Sequence, residues 1–192
     1  MQHTLKTATE TLSGVGLHTG KPINLRVLPA APDTGLLFVR TDLTSVNTYV
    51  PALFDAVDNN ASKLCTFLKN SAGVAIQTPE HLMAALAAAG IDNALIEING
   101  PEVPLMDGSA KPFIDAIMQV GRKVQPSPHS TLKVLKPVRV EDGDKFAELR
   151  PQDGPLSIDF TIAFPGIGTQ QRKFILSDAQ AFMAEAVSYT HL

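Results

Sequence analysis

The stretch "TPEHLMAALAAAGIDNALIEI", residues 78–98, joins a helix pattern directly to a strand pattern. In its first part, apolar residues recur at spacings of three and four, which predicts a helix with Thr78 as its N-cap, Pro79 in the first turn and Gly90 at its end. In its second part, aliphatic and β-branched residues predict a strand. A core helix followed at once by a strand indicates a mixed fold.

Strand patterns lie on both sides of that helix. Partial alternation of apolar and polar residues predicts four strands: "INLRVL" (23–28), "GLLFVR" (35–40), "GVAIQ" (73–77) and "ALIEING" (94–100). A second helix is predicted from near Ser109 to Gly121, with its buried side formed by Phe113, Ile114, Ile117 and Val120. We therefore predict an α+β fold with a two-layer domain of sheet and helices.

The segment "KVQPSPHST" (123–131) is the best linker candidate, because it combines two prolines and two serines with little apolar content. After it, "TLKVLKPVRV", "KFAELRP" and "LSIDFTIAF" predict antiparallel strands with a turn at "EDGD", and a last helix is predicted from Ser177. We expect a complete N-terminal domain over residues 1–126. Residues 127–192 are expected to hold the linker and the beginning of a second, similar domain.

Composition excludes several classes of protein. A net charge of -3 with scattered basic residues argues against a nucleic-acid partner. The one cysteine, Cys65, excludes an intrachain disulfide and an all-cysteine zinc site, and it agrees with a reducing compartment. No apolar run approaches the ~20 residues of a membrane span, and the N-terminus lacks the pattern of a signal peptide, so a cytoplasmic location is expected.

Glu80 and His81 stand on the first turn of the otherwise apolar first helix. A helix N-terminus favours an ionised carboxylate and a neutral imidazole. The first is what a general base needs and the second is what a metal ligand needs. Acidic residues are also common in first turns as simple caps, so at this point both interpretations stay open.

The other candidate residues have ordinary explanations when each is taken alone. His18 lies in the glycine-rich loop "SGVGLHTG" (13–20), and Asp107 precedes the second helix as a turn and capping residue would. Cys65 lies in the apolar run "KLCTFL", where it would act as a small hydrophobe. Lys145 follows a turn and Phe164 ends a strand, which suits a solvated lysine and a core phenylalanine.

Taken together, the motifs resemble the family of UDP-3-O-acyl-N-acetylglucosamine deacetylases, zinc amidohydrolases of bacterial lipid A biosynthesis. The resemblance runs from about Thr4 to Ser188 and depends on the order and spacing of its parts. These parts are "SGVGLHTG", "RTDL" (40–43), "LCT" (64–66), "TPEHLMAALAAAGIDNALIEI", "PEVPLMDGSAKPF" (101–113) and "VRVEDGDKFAEL" (138–149).

The resemblance implies two similar α+β domains with their helices packed between two sheets and a Zn²⁺ site between the domains. It assigns His81 as a zinc ligand and Glu80 as the general base that activates the attacking water. In that architecture the outer faces of Leu86 and Ile117 are expected to need cover from the second domain.

The resemblance also implies a substrate site for UDP-3-O-acyl-N-acetylglucosamine. Leu64 and Cys65 would lie at its rim, Lys145 would contact the phosphates, and Phe164 would stack on the uracil. Ala163 stands where such proteins carry an acidic residue. His18 and Asp107 would have supporting or structural roles near the site.

After Ser188, proteins of this family continue with a further long stretch that holds a histidine and an aspartate as the other zinc ligands, together with a catalytic histidine. We therefore expect this chain to be an N-terminal fragment that is inactive by itself, with residues 189–192 outside the resemblance. The alternative is a non-catalytic module of the same fold that binds a sugar nucleotide.

Overall fold

A computed structural model describes residues 1–44, 47–61, 64–166, 168–176 and 181–183. They form two units. The first consists of residues 1–127 together with 181–183, and the second of residues 128–176.

The first unit contains a five-stranded mixed sheet and two small two-stranded sheets. Its strands are β1 (Gln2–Leu5), β2 (Leu12–Val15), β3 (Pro22–Pro29), β4 (Leu36–Arg40), β5 (Tyr49–Pro51), β6 (Phe67–Lys69), β7 (Ala75–Gln77), β8 (Ala94–Ile98) and β9 (Arg122–Gln125). The large sheet has the order β2-β3-β8-β4-β5, in which only the β4–β8 pair is parallel. β1 pairs with β9, and β6 pairs with β7. All four strands predicted for this part are confirmed within two residues at either end.

The large sheet buries one face. Along β3 the side chains alternate between exposed and buried, with Ile23, Leu25 and Val27 inside the core. Alternation of this kind places every second side chain on the same face of a sheet. Phe38 of β4 and Ile96 of β8 are also fully buried.

The two helices are α1 (Glu80–Ala88) and α2 (Lys111–Val120), and they pack against each other. Leu82 and Leu86 of α1 are fully buried, as are the predicted core residues Phe113, Ile114 and Ile117 of α2. Val120 is only half-buried. The predicted α+β class is confirmed, with sheet and helix residues sharing one core.

The burial of Leu86 and Ile117 contradicts the expectation that both residues need cover from the second domain. Leu86 is 0% exposed and Ile117 is 2% exposed, so neither side chain needs cover from further chain. The physical reason is that both residues belong to the buried sides of α1 and α2, which pack against each other. The exposed positions on α1 are the small residues Ala84 and Ala87.

The start of α1 also differs from the prediction. Thr78 does not cap the helix, because its backbone has a positive φ of 55° and its hydroxyl donates to Glu102 Oε1 at 3.3 Å. The helix begins at Glu80 instead, with Pro79 as the preceding residue. The predicted stops are confirmed, since Gly90, two residues after α1, and Gly121, directly after α2, have φ values of 65° and 71°.

Part of the predicted linker is a strand. β9 occupies 122–125 and pairs with β1, although its sequence is polar. The pairing is supported by a buried amide cluster, in which the Asn93 side-chain NH₂ donates to Gln2 Oε1 and Gln125 Oε1, both at 2.8 Å. The Asn93 oxygen accepts from the Gly35 N–H at 2.8 Å. Hydrogen-bonded side-chain amides therefore stabilise the β1–β9 pair, as apolar contacts stabilise the rest of the core.

The second unit consists of two antiparallel hairpins. They are formed by β10 (Val138–Asp142) with β11 (Lys145–Leu149), and by β12 (Ser157–Phe164) with β13 (Gly168–Ile175). The predicted "EDGD" turn is confirmed, but the strand before it begins only at Val138, and β13 was not predicted at all. In the first hairpin the Arg139 guanidinium lies 3.8 Å from the Phe146 ring centroid.

The helix predicted from Ser177 lies mostly outside the described residues. Residues 181–183 are described and are helical, and Phe182 among them is buried. In the part of the chain that the structure describes, no helix is long and apolar enough to cross a membrane.

Candidate functional site

Glu80 and His81 open α1 at a sharp change of chain direction. The backbone arrives through β7, turns at Thr78, and enters the helix after Pro79. The Thr78 N–H donates to the Thr66 carbonyl at 3.0 Å, which ties this turn to the segment before β6. Both Glu80 and His81 are half-buried, so neither is a fully solvated cap.

The Glu80 carboxylate has two different oxygen environments. Oε1 accepts a hydrogen bond from the Thr66 N–H. Oε2 is buried and has no hydrogen-bond partner among the described residues. Buried polar atoms are usually paired, so an unpaired carboxylate oxygen indicates a group kept for an external partner.

A cavity of about 360 Å³ brings together three of the predicted site residues, Glu80, Leu64 and Cys65. Its wall is completed by Val57, Asp58, Asn59, Thr66 and Phe67. Leu64 is 85% exposed at this site and Cys65 is half-buried. A second cavity, of about 270 Å³, also borders Glu80 and Thr66 and includes the apolar residues Leu53, Phe54 and Met83. Glu80 therefore borders two cavities, and the larger one has the size of a small-ligand site.

The loop that contains His18 is hydrogen-bonded to the buried carboxylate of Glu102. The backbone N–H groups of His18 and Thr19 donate to Glu102 Oε1 and Oε2, both at 2.8 Å, while the His18 side chain is exposed. Burial by itself would raise the pKa of Glu102, but hydrogen bonds from His18, Thr19 and Thr78 hold that pKa below its usual value. Glu102 was not predicted from the sequence, because an acid between two prolines has no distinguishing pattern.

Asp107 lies in the turn before α2. Its Oδ1 accepts from the Ser109 N–H at 2.9 Å and from the Ser109 hydroxyl at 2.8 Å. The Ser109 hydroxyl oxygen in turn accepts from the Lys111 N–H at 3.0 Å. The contacts described for Asp107 are thus with the start of α2.

Lys145 and Phe164 belong to the second unit. Lys145 is the first residue of β11, pairs in register with Asp142, and is exposed. Phe164 is the last residue of β12, pairs with Gly168, and is 56% exposed. Phe164 is therefore not the core residue that its sequence context alone would suggest.

The described residues supply only part of a metal centre. No group of three or more His, Cys, Asp and Glu side chains in the described ranges could share a metal ion. A catalytic zinc site uses three protein ligands, so His81 cannot form one with its described neighbours alone.

Comparisons with known proteins agree with the motifs. The sequence model of the family described as UDP-3-O-acyl N-acetylglycosamine deacetylase matches residues 2–190. Three curated relatives named UDP-3-O-acyl-N-acetylglucosamine deacetylase come from Haemophilus ducreyi, Histophilus somni and Photobacterium profundum. Each is 46% identical to this chain, over 178, 187 and 187 residues respectively.

These matches cover 90% of the present chain for the Haemophilus relative and 96% for the other two. The chain spans only 56% to 60% of the length of those relatives. Because the match nevertheless covers nearly all of the present chain, it shows the family of the chain. The chain belongs to the UDP-3-O-acyl N-acetylglycosamine deacetylase family.

Proposed function

We propose that this chain is part of a zinc-dependent amidohydrolase that removes the acetyl group from UDP-3-O-acyl-N-acetylglucosamine in lipid A biosynthesis. The names of its relatives support the substrate and the reaction. The observation that carries the proposal is the Glu80 carboxylate, half-buried beside a cavity with one oxygen fixed and the other unpaired.

Glu80 would act as the general base. The hydrogen bond from the Thr66 N–H fixes the carboxylate through Oε1, which leaves Oε2 to accept a proton from the attacking water. A base held in one orientation loses little entropy when it takes up the proton. The proton then passes to the departing amine, so water and the amide become acetate and an amino sugar.

His81 would contribute one ligand to Zn²⁺, and the remaining ligands would come from outside the described residues. When bound, the ion would act as a Lewis acid that polarises the acetamide carbonyl. The position of His81 next to Glu80 in the chain would bring metal and base to the same substrate bond.

The remaining assignments concern substrate binding. Leu64 and Cys65 line the cavity next to Glu80, which supports a role at the rim of the acetyl-sugar site. Lys145 and Phe164 are exposed ends of hairpin strands, which suits a cation for the diphosphate and a ring for the uracil. We assign His18 and Asp107 supporting roles. A nucleotide-linked substrate and a lone cysteine favour the cytoplasm as the place of the reaction.

A second candidate is a non-catalytic sugar-nucleotide-binding module. The observation in its favour is that the described residues contain no group of three side chains that could hold a metal ion. Such a module would bind a UDP-sugar but would not release acetate from it.

The test is a chimera in which residues 2–190 replace the matching part of the Haemophilus ducreyi relative. We expect the chimera to bind one zinc ion and to release acetate from UDP-3-O-acyl-N-acetylglucosamine. His81→Ala should lower the zinc content, whereas the control His129→Ala, at an exposed residue of the second unit, should not. A chimera that binds the substrate tightly but releases no acetate would favour the binding module.

A further inference from the structure

Glu102 is a fully buried acid, with 0% of its surface exposed, in the segment between β8 and α2. Its backbone runs beside the last residue of β7. The Gln77 N–H donates to the Pro101 carbonyl at 2.8 Å, and the Val103 N–H donates to the Gln77 carbonyl at 3.0 Å. The backbone on both sides of Glu102 is therefore hydrogen-bonded to Gln77, which lies three residues before the start of α1.

The carboxylate of Glu102 joins two separate segments of the chain. On one side it accepts the N–H groups of His18 and Thr19, one on each oxygen. On the other side, Oε1 also accepts the Thr78 hydroxyl. Hydrogen bonds to an ionised acceptor are about twice as strong as neutral ones, so this carboxylate holds the His18 loop strongly. The bond from the Thr78 hydroxyl is longer, at 3.3 Å, and is the weaker of the two connections.

The loop is built to fit this carboxylate. A Cβ atom on Gly16 would lie 2.3 Å from Glu102 Oε2 and 2.4 Å from Thr19 Oγ1, so only glycine permits so close an approach. The Gly16 N–H donates to the Lys21 carbonyl and the Gly20 N–H to the Gly16 carbonyl, both at 3.0 Å. These bonds close the loop around the acid and leave the His18 imidazole on the exposed side.

We infer that Glu102 is a positioning residue, which fixes the His18 loop against the turn at Thr78 and thereby sets the placement of Glu80 and His81. The inference rests on the proposed function, since it assigns Glu80 and His81 to the reaction. Its physical basis is a chain of contacts from the loop through Glu102 to Thr78, and from Thr78 to Thr66, whose N–H holds Glu80.

Two substitutions break the tether at different places. Glu102→Gln keeps the shape of the side chain but removes the charge and places an NH₂ group against one of the N–H donors. Thr78→Val is isosteric and removes only the hydroxyl that links the turn to the carboxylate. Thr78→Val leaves both loop N–H bonds to Glu102 in place, so it tests the coupling even if Glu102→Gln fails to fold. The matched control is Glu97→Gln, which removes a charge from a half-exposed residue of β8.

The first measurement is amide hydrogen exchange by NMR in the 192-residue chain. Glu102→Gln should speed exchange of the His18 and Thr19 amides by about 10-fold or more, as expected when a charge-assisted hydrogen bond is weakened. Both Glu102→Gln and Thr78→Val should also speed exchange of the Thr66 amide, which reports on Glu80. The core amides of Val27 and Ile96 should be unchanged, as should all of these amides in Glu97→Gln.

The second measurement is kinetic and uses the chimera. Glu102→Gln and Thr78→Val should lower kcat by about 10- to 100-fold with little change in KM, because a small displacement of catalytic groups slows the reaction more than it weakens binding. A merely structural role would lower the amount of folded enzyme and leave kcat per folded molecule unchanged.

The outcomes separate this inference from the proposed function. An inactive parent chimera would contradict the proposed function, and the exchange of Thr66 would still decide whether Glu102 controls the placement of Glu80. Unchanged Thr66 exchange in both variants would overturn the inference. Normal kcat in both variants of an active chimera would overturn it as well.

Discussion

Replacing Glu80 with glutamine should make the folded chain more stable. One oxygen of the Glu80 carboxylate is buried without a partner among the described residues, while the other accepts the Thr66 N–H. Glutamine keeps an oxygen for the Thr66 N–H and replaces the unpaired anionic oxygen with a neutral group. A gain in stability on removal of a catalytic group is the trade-off expected where a site is kept for function.

Two opposing effects set the size of this gain. An unsatisfied buried polar group costs about 1–3 kcal/mol, and more if it is charged. Because the glutamine NH₂ group would also lack a partner there, the substitution recovers only the extra cost of the charge. Loss of a negative charge from the first turn of a helix removes about 0.3–1 kcal/mol of favourable interaction with the helix N-terminus. The cost of burying the charge has the larger effect, so we expect a net stabilisation of about 0.5–1.5 kcal/mol. For a domain of this size, that corresponds to a rise in Tm of roughly 2–6 °C.

The assay is urea and thermal unfolding of the 192-residue chain, followed by far-UV circular dichroism. The control is Glu97→Gln, whose carboxylate lies 3.8 Å from the Arg26 guanidinium at a half-exposed site and should change stability by less than about 0.5 kcal/mol. A Glu80→Gln variant with an unchanged or lower urea midpoint, at an unchanged m-value, would show that the unpaired Oε2 does not destabilise the folded chain.

Three further predictions concern the rest of the chain. Asn93→Leu should destabilise the first unit by about 2–4 kcal/mol in urea unfolding, because it leaves the buried side-chain amides of Gln2 and Gln125 without their shared partner; a loss under 0.5 kcal/mol would show that this cluster is not a main support of β9. The low pKa of Glu102 in the folded state means that its stabilising effect is present above the usual glutamate pKa of about 4.3 and is lost as the pH falls through the folded pKa. Urea midpoints measured from neutral to acidic pH should therefore fall less steeply in Glu102→Gln than in the parent, and parallel curves would contradict this. Finally, the 192-residue chain should not keep stoichiometric zinc after dialysis against a mild chelator, because His81 lacks two further ligands among its described neighbours; retained zinc, measured by elemental analysis, would contradict it.

The elements that could be predicted from the sequence are those whose burial leaves a periodic pattern. β3 has alternating burial, and α2 places Phe113, Ile114 and Ile117 on one side, so apolar spacing was enough to find both. β9 and β13 were missed because their residues are mostly exposed and polar. β1, β2 and β5 were missed as well, because strands of three or four residues are too short to show a period. β9 and β13 are each stabilised by pairing with another strand, and such pairing leaves no periodic pattern in the sequence.

The site could be predicted only in part, for a similar reason. Glu80, Leu64 and Cys65 were expected together and do line one cavity. Glu102 was missed because its importance comes from partners far away in sequence, at His18 and Thr78. The predicted N-cap at Thr78 was wrong for the same reason, because the Thr78 hydroxyl donates to the buried Glu102 carboxylate instead of capping α1.

Steady-state kinetics of Glu80→Gln in the chimera test whether Glu80 is the base of a deacetylase. With zinc content confirmed as equal to that of the parent, we predict a fall in kcat of about 10²–10⁴-fold and a nearly unchanged KM, because only proton transfer is removed. The control Glu97→Gln should retain the kcat of the parent. A Glu80→Gln enzyme that contains zinc and releases acetate at the parental rate would show that Glu80 is not the base.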